Sequence, residues 1–247
     1  MTFGGTQAYG EPSYWDKRYS QDPGPFDWYQ KYATLAPLFN LYIHRSHRIL
    51  IVGCGNAAIG EGMLDDNYED IVNIDISAVV IDAMQKKYSN RPQLKYIWMD
   101  VRDMQRFESD SFDVVIDKGT LDSLMCGQNS QSNAGKMLDE IWRVLKDRGV
   151  YILITYGAPL YRLSLLREPC FWSINLHVIE KFGSEKEPQR QTWEVTDAIP
   201  LKEDGSFDTS VLGDKPDVHY VYVCIKDKSL RELKLTKEIK DEMVDND

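Results

Sequence analysis

The chain is predicted to fold as one α/β domain on a doubly wound, mostly parallel seven-stranded sheet whose last strand runs antiparallel. Three observations carry that expectation. Short apolar runs alternate with helical patterns along most of the chain, the first run closes in a glycine-rich loop, and no helical pattern separates the last two runs. Alternating strand and helix implies parallel strands, because each helix carries the chain back to the starting end of the sheet.

Residues 1–30 are rich in Gly, Pro and aromatic side chains and read as a lead-in segment rather than regular structure. A short helix is expected over Tyr29–Tyr42, with Leu35, Leu38, Phe39 and Tyr42 on one side and an interruption near Pro37. The first strand is Arg48-Ile-Leu-Ile-Val-Gly53, apolar throughout, as strands are when helices cover both faces of their sheet. Further strands are expected over Ile71–Ile76, Leu94–Met99, Phe112–Ile116, Val150–Thr155, Trp172–Glu180 and Val218–Ile225. Ser77 is a natural N-cap for a helix over Ala78–Tyr88. Another helix over Lys136–Lys146 places Met137, Ile141, Val144 and Leu145 at helical spacing before Gly149 ends it. The last two strands would pair as an antiparallel ribbon at one edge. Between them, 183–216 is polar, dense in Glu, Asp, Lys and Pro, and reads as a partly mobile surface insertion. The tail, 227–247, is strongly charged; its Leu230, Leu233, Leu235 and Ile239 permit a weak helix or frayed chain, and it is assigned no role.

At 247 residues and 43% hydrophobic composition, the chain suffices for one domain with a sizeable core. No run nears the roughly 18 apolar residues of a membrane span, and no basic segment leads into an apolar one at the N-terminus, which argues against a secretory signal. Cys54, Cys126, Cys170 and Cys224 lie far apart without CxxC spacing, so reduced thiols in a cytoplasmic protein are expected. The four histidines, His44, His47, His177 and His219, show no metal or catalytic spacing, and no metal is implied. With 39 acidic against 29 basic residues the net charge is −10, and no basic run is present. Naked nucleic acid is therefore a poor partner. A lysine-rich protein surface would suit the charge, although solubility alone also accounts for it.

The loop after the first strand reads Gly53-Cys54-Gly55-Asn56-Ala57-Ala58. Its paired glycines permit a sharp turn and close approach of a ligand to the backbone. The next strand reaches Asp75, 22 positions after Gly53, where a carboxylate can accept from both ribose hydroxyls of a nucleoside. Glycines that only make a turn, and an Asp75 that only caps a helix, are the bland alternatives. A dinucleotide fingerprint is also open, with Ala58 at its third glycine position. Against it, no basic residue follows the loop to help hold a pyrophosphate, and no Tyr-x-x-x-Lys proton donor occurs. For it to be S-adenosylmethionine instead, the third strand should end in a group for the adenine. It ends in Met99-Asp100-Val101, where Asp100 can accept from the exocyclic amine and the Val101 amide can meet a ring nitrogen.

The block Tyr14-Trp15-Asp16-Lys17-Arg18-Tyr19, followed by Phe26-Asp27-Trp28-Tyr29, resembles a branch of the seven-strand class I methyltransferases with a Rossmann-like fold. That branch includes the lysine methyltransferases of translation elongation factor 1-alpha. Val52–Asn56, Met99–Arg102, Phe112–Asp122 with its Asp-Lys-Gly-Thr-Leu-Asp run, and Tyr156-Gly157-Ala158-Pro159 match the same branch, over residues 9–180. The resemblance does not account for 183–216. It implies that Trp15, Tyr19 and Trp28 close as a lid over the methionine end of the cofactor. It also implies that Gly53 and Gly55 approach the cofactor through the backbone and that Asp75 with Ile76 holds the ribose. Asp100 and Val101 would read the adenine, and Lys118 would approach from the acceptor side. A strap packed on the core is the alternative for the aromatic block.

The activity so implied is S-adenosylmethionine-dependent N-methylation of a protein lysine, such as one on elongation factor 1-alpha. A small-molecule methyltransferase and a non-catalytic cofactor-binding scaffold stay open on the same fold. Asp117, Asp122 and Tyr156, near the ends of the fourth and fifth strands, are candidates for contacting the acceptor. No catalytic base and no oligomeric state are implied.

Overall fold

The computed structural model describes residues 9–167, 172–181, 193–202, 204–213 and 216–229. All seven expected strands are present: β1 Arg48–Val52, β2 Asp70–Asp75, β3 Leu94–Trp98, β4 Phe112–Lys118, β5 Leu145–Thr155, β6 Trp172–Glu180 and β7 Val218–Lys226. They form one sheet in the order β3-β2-β1-β4-β5-β7-β6. The first five pair in parallel. Strand β7 runs antiparallel to both β5 and β6, so the last two strands do pair as an edge ribbon. What their spacing did not reveal is that β7 inserts between β5 and β6.

The helices are α1 Pro12–Gln21, α2 Tyr32–Tyr42, α3 Ile59–Asp65, α4 Ala78–Lys87, α5 Thr120–Cys126, α6 Ser130–Val144 and α7 Pro159–Arg167. They cover the sheet on both faces. On one face Leu35, Phe39, Met63 and Ile81 pack on Ile49, Ile71 and Ile152. On the other Leu124, Met137, Ile141 and Leu166 pack on Leu50, Val115 and Leu153. Ser77 caps α4 as expected, its hydroxyl accepting from Val80 N. No described helix is long and apolar enough to cross a membrane.

Four expectations need correction. The described part of the expected lead-in, from residue 9 on, is not without regular structure, because α1 occupies Pro12–Gln21 with proline at its start, where no amide partner is lost. Helix α2 runs through Pro37 without a break. Burial of Leu35, Leu38 and Phe39 around the proline outweighs its one missing hydrogen bond. Helix α6 stops at Val144, short of Gly149, because Leu145 already pairs with Phe112 on β4. Part of the polar stretch 183–216 covers the core: Ile199 is buried and bridges to Leu176, and Trp193, Leu201, Phe207 and Leu212 pack nearby. The residues of the tail considered for a helix, from Leu230 on, lie outside the described residues.

Candidate functional site

The strand order reverses between β1 and β4, and in doubly wound sheets that switch point opens a crevice beyond the carboxyl ends of the strands. A cleft lies there, with an empty volume of about 1150 Å³ that includes its open mouth. The loop leaving β1 forms its floor. Gly53 and Gly55 have φ of 56° and 52°, in the left-handed region that glycine alone adopts without strain. A methyl group on Gly53 would lie 2.0 Å from Thr120 Oγ1, and one on Gly55 would lie 2.6 Å from the Tyr19 hydroxyl. Glycine is thus required at both positions, by the backbone conformation and by the side chains packed against them.

Two strand ends contribute the carboxylates. Asp75 closes β2, is 6% exposed, and accepts from Gly55 N and Ser77 N, both at 2.9 Å. It therefore shapes the glycine loop as well as lining the cleft. Burial outweighs these bonds and pushes its carboxyl up to about 6. Asp100 is gripped by the Arg102 guanidinium, with Nη2 at 2.7 Å from Oδ2 and Nε at 3.0 Å from Oδ1. The Val101 amide donates to no described residue and stays available.

The aromatic block closes the cleft from above. Trp15 and Tyr19, one turn apart on α1, stack with ring centroids 5.9 Å apart, and Trp28 meets Trp15 edge-on at 6.5 Å. Polar links tie the segment to the domain. Ser77 Oγ donates to Asp16 Oδ1 at 2.6 Å, Phe26 N donates to Asn56 Oδ1 at 3.2 Å, and Asn56 Nδ2 donates to Gly24 O at 2.5 Å. Helix α1 nonetheless contains no buried residue. It lies across the mouth and touches the core through Tyr19.

Lys118, the last residue of β4, is 8% exposed. Its Nζ donates to Trp28 O at 2.8 Å and lies 3.3 Å from Asp27 Oδ1, and burial holds its ammonium below the ordinary lysine range. All ten residues expected at the cofactor line this one cleft: Trp15, Tyr19, Trp28, Gly53, Gly55, Asp75, Ile76, Asp100, Val101 and Lys118. Tyr9, Arg18, Phe26, Asn56 and Thr120 also line it and were not foreseen. The i, i+4 spacing of Trp15 and Tyr19 after Pro12 was the available signal for α1. Nothing local signalled Asn56.

The acceptor candidates fare differently. Asp117 is fully buried and accepts from Thr120 N, Leu121 N and Tyr151 Oη, anchoring the start of α5. Burial pushes its carboxyl up to about 7. It cannot touch an acceptor. Asp122, also buried, spends both oxygens on neighbouring donors and so is no contact residue either. Tyr156 is 52% exposed and keeps its candidacy.

Residues 50–153 match the family described as "Methyltransferase domain". Over that stretch the chain resembles a methyltransferase domain. EEF1A lysine methyltransferase 4 of Bos taurus is 37% identical over 165 residues, covering 63% of this chain and 64% of that protein. The eEF1A lysine and N-terminal methyltransferase of Bos taurus is 38% identical over 154 residues, 61% of this chain but only 22% of that protein. The chain thus spans less than two thirds of either relative. A SAM-dependent methyltransferase from Methanosarcina mazei superposes with a TM-score of 0.55 at 16% identity, over 82% of this chain and 99% of its own. At that identity the likeness speaks for the fold alone.

Proposed function

We propose that this chain is an S-adenosylmethionine-dependent methyltransferase whose acceptor is a lysine on a protein, with translation elongation factor 1-alpha as the first substrate to try. The observation that carries the reading is the convergence of the glycine loop, two strand-end carboxylates and three aromatic rings on one cleft at the switch point. The names of the two relatives point to the same acceptor.

The residues present fit that cofactor. Asp75 has lone pairs left for ribose hydroxyls. The free Val101 amide suits a ring nitrogen of adenine, and Asp100 faces the cleft beside it, where it could accept from the exocyclic amine in exchange for one of its contacts with Arg102. When bound, the cofactor supplies an activated methyl on a sulfonium, and transfer to a neutral amine leaves the electron pair on sulfur. Trp15, Tyr19 and Trp28 offer ring faces to that cation, worth about 0.5–2 kcal/mol each, and exclude water from the transfer path. The acceptor must arrive unprotonated although free lysine has a pKa of about 10.4. The apolar surroundings favour the neutral amine, and positioning supplies most of the remaining rate. Elongation factor 1-alpha as acceptor would also make the chain a cytoplasmic enzyme.

Two measurements test this. S-adenosylhomocysteine at about 100 times its Kd should stabilise the fold by roughly 2.7 kcal/mol, raising the melting temperature by several degrees. Preferential binding of NADH would overturn the reading. Incubation with labelled cofactor and elongation factor 1-alpha should then place label on a lysine of that protein, whereas label only in small molecules would replace the acceptor assignment.

The raised carboxyl of Asp75 gives the binding a pH signature. Ribose hydroxyls donate to the ionised form, so binding selects the carboxylate and lowers its pKa. Affinity should be full above about pH 6 and fall as pH drops through that value, by up to about tenfold per unit. Calorimetry with S-adenosylhomocysteine between about pH 5 and 8 reads it. A flat profile would remove Asp75 from the ribose.

A further inference from the structure

Asp122 lies in the first turn of α5 and is 3% exposed. Its carboxylate accepts four hydrogen bonds from three separate parts of the chain. Oδ2 accepts from Tyr29 Oη at 2.8 Å and from Tyr156 N at 3.3 Å. Oδ1 accepts from Thr155 Oγ1 at 2.5 Å and Arg162 Nη2 at 2.6 Å. A carboxylate has about four lone-pair positions, so this one is saturated. The Arg162 pair is itself buried, at 6% and 4% side-chain exposure.

Tyr29 arrives from the N-terminal segment, directly after Trp28. The two neighbours do different things: Trp28 lines the cleft, while the Tyr29 hydroxyl reaches Asp122. Tyr29 has φ of 63°, a conformation an aromatic residue holds only when its surroundings compel it. Its ring is held against His219 at 4.8 Å and Tyr156 at 6.2 Å. Beyond the Tyr29 ring, Tyr156 after β5 and Leu160 and Tyr161 in the first turn of α7 are 52–73% exposed, a set of large side chains open to a partner. They lie at the carboxyl end of β5, the end at which the cleft opens.

We propose that Asp122 is a positioning residue that couples closure of the N-terminal segment over the cofactor to assembly of the acceptor-binding face formed by Tyr156 and α7. The inference rests on the function proposed above. With the segment closed, Tyr29 completes the set of donors and keeps water from the Asp122–Arg162 pair. With it open, the carboxylate loses one donor and gains solvent, which loosens its hold on Arg162 and on the Tyr156 amide. The acceptor face is then well formed only after the cofactor has closed the segment. Cofactor binds first and protein second.

Tyr29→Phe removes the link and keeps the ring. Thr155→Val removes a different donor from the same carboxylate and serves as the control for general loosening. In the wild-type protein S-adenosylhomocysteine should slow amide hydrogen exchange across 156–167 by at least about tenfold. Tyr29→Phe should bind the same ligand within about threefold of wild type but lose that protection, while Thr155→Val keeps it. With elongation factor 1-alpha as acceptor, Tyr29→Phe should raise KM by about fivefold or more and change kcat less. Equal protection of 156–167 in wild type and Tyr29→Phe, or none in wild type, overturns the coupling. Loss of protection in both variants would make Asp122 merely structural and overturns it too. Failure of S-adenosylhomocysteine to bind the wild-type protein would instead sink the proposed function itself.

Discussion

Removal of residues 1–28 is expected to leave a folded domain that has lost most of its affinity for S-adenosylmethionine. The structure supports both halves of that outcome. Helix α1 contributes no fully buried side chain and only Tyr19 packs against a core cluster, so its loss takes little from either side of the sheet. The deletion also spares Tyr29, Tyr32 and all of α2, which do pack there. What it removes is the aromatic cover: Trp15 and Tyr19 stacked on each other, Trp28 edge-on, and Phe26 behind them. At about 0.5–2 kcal/mol per ring toward a sulfonium, the loss of Trp15, Tyr19 and Trp28 should come to about 1.5–6 kcal/mol, or roughly 10- to 20,000-fold in Kd. Ligand should select the closed segment, so S-adenosylhomocysteine should protect α1 from limited proteolysis in the full chain. A truncated chain that aggregates, with protection that ignores the ligand, would make the segment a core strap.

Asp75→Ala should weaken cofactor binding by about 1.5–3 kcal/mol, the range for hydrogen bonds to a charged acceptor, or roughly 10- to 150-fold. From the sequence alone this substitution is expected to leave folding nearly untouched. The geometry changes that expectation. Because Asp75 accepts from Gly55 N and Ser77 N in a buried setting, alanine leaves two amides without an acceptor. The melting temperature should therefore fall as well. Calorimetry and thermal unfolding on the same variant separate the effects. Normal binding with early melting would mean that Asp75 serves the loop and not the ribose.

The seven strands, the glycine loop and the two strand-end acids were legible because each is a local pattern. A buried parallel strand is a continuous apolar run. A left-handed turn needs glycine. An acid directly after such a run sits at the carboxyl edge of the sheet whatever the rest of the chain does. The resemblance added the aromatic block and Lys118, and all ten residues meet in one cleft. Helix α1 was obscured by the glycines and prolines around it, and β7 could not be ordered before its partners were known.

The acids show most plainly where local pattern stops. Asp75, Asp100, Asp117 and Asp122 look alike in the sequence, each near the end of a strand. Only the fold separates them, because a carboxylate's role depends on the donors that surround it. For Asp122 those donors come from 33, 34, 40 and 93 positions away. Asp117 is spent on the start of α5 and Asp122 on its neighbours, while Asp75 and Asp100 face the cleft. The sequence by itself determined the sheet and the end of it where the site opens, since burial period and backbone conformation are set by neighbours in the chain. The tertiary structure decided which polar groups are consumed in holding that site together and which remain to act.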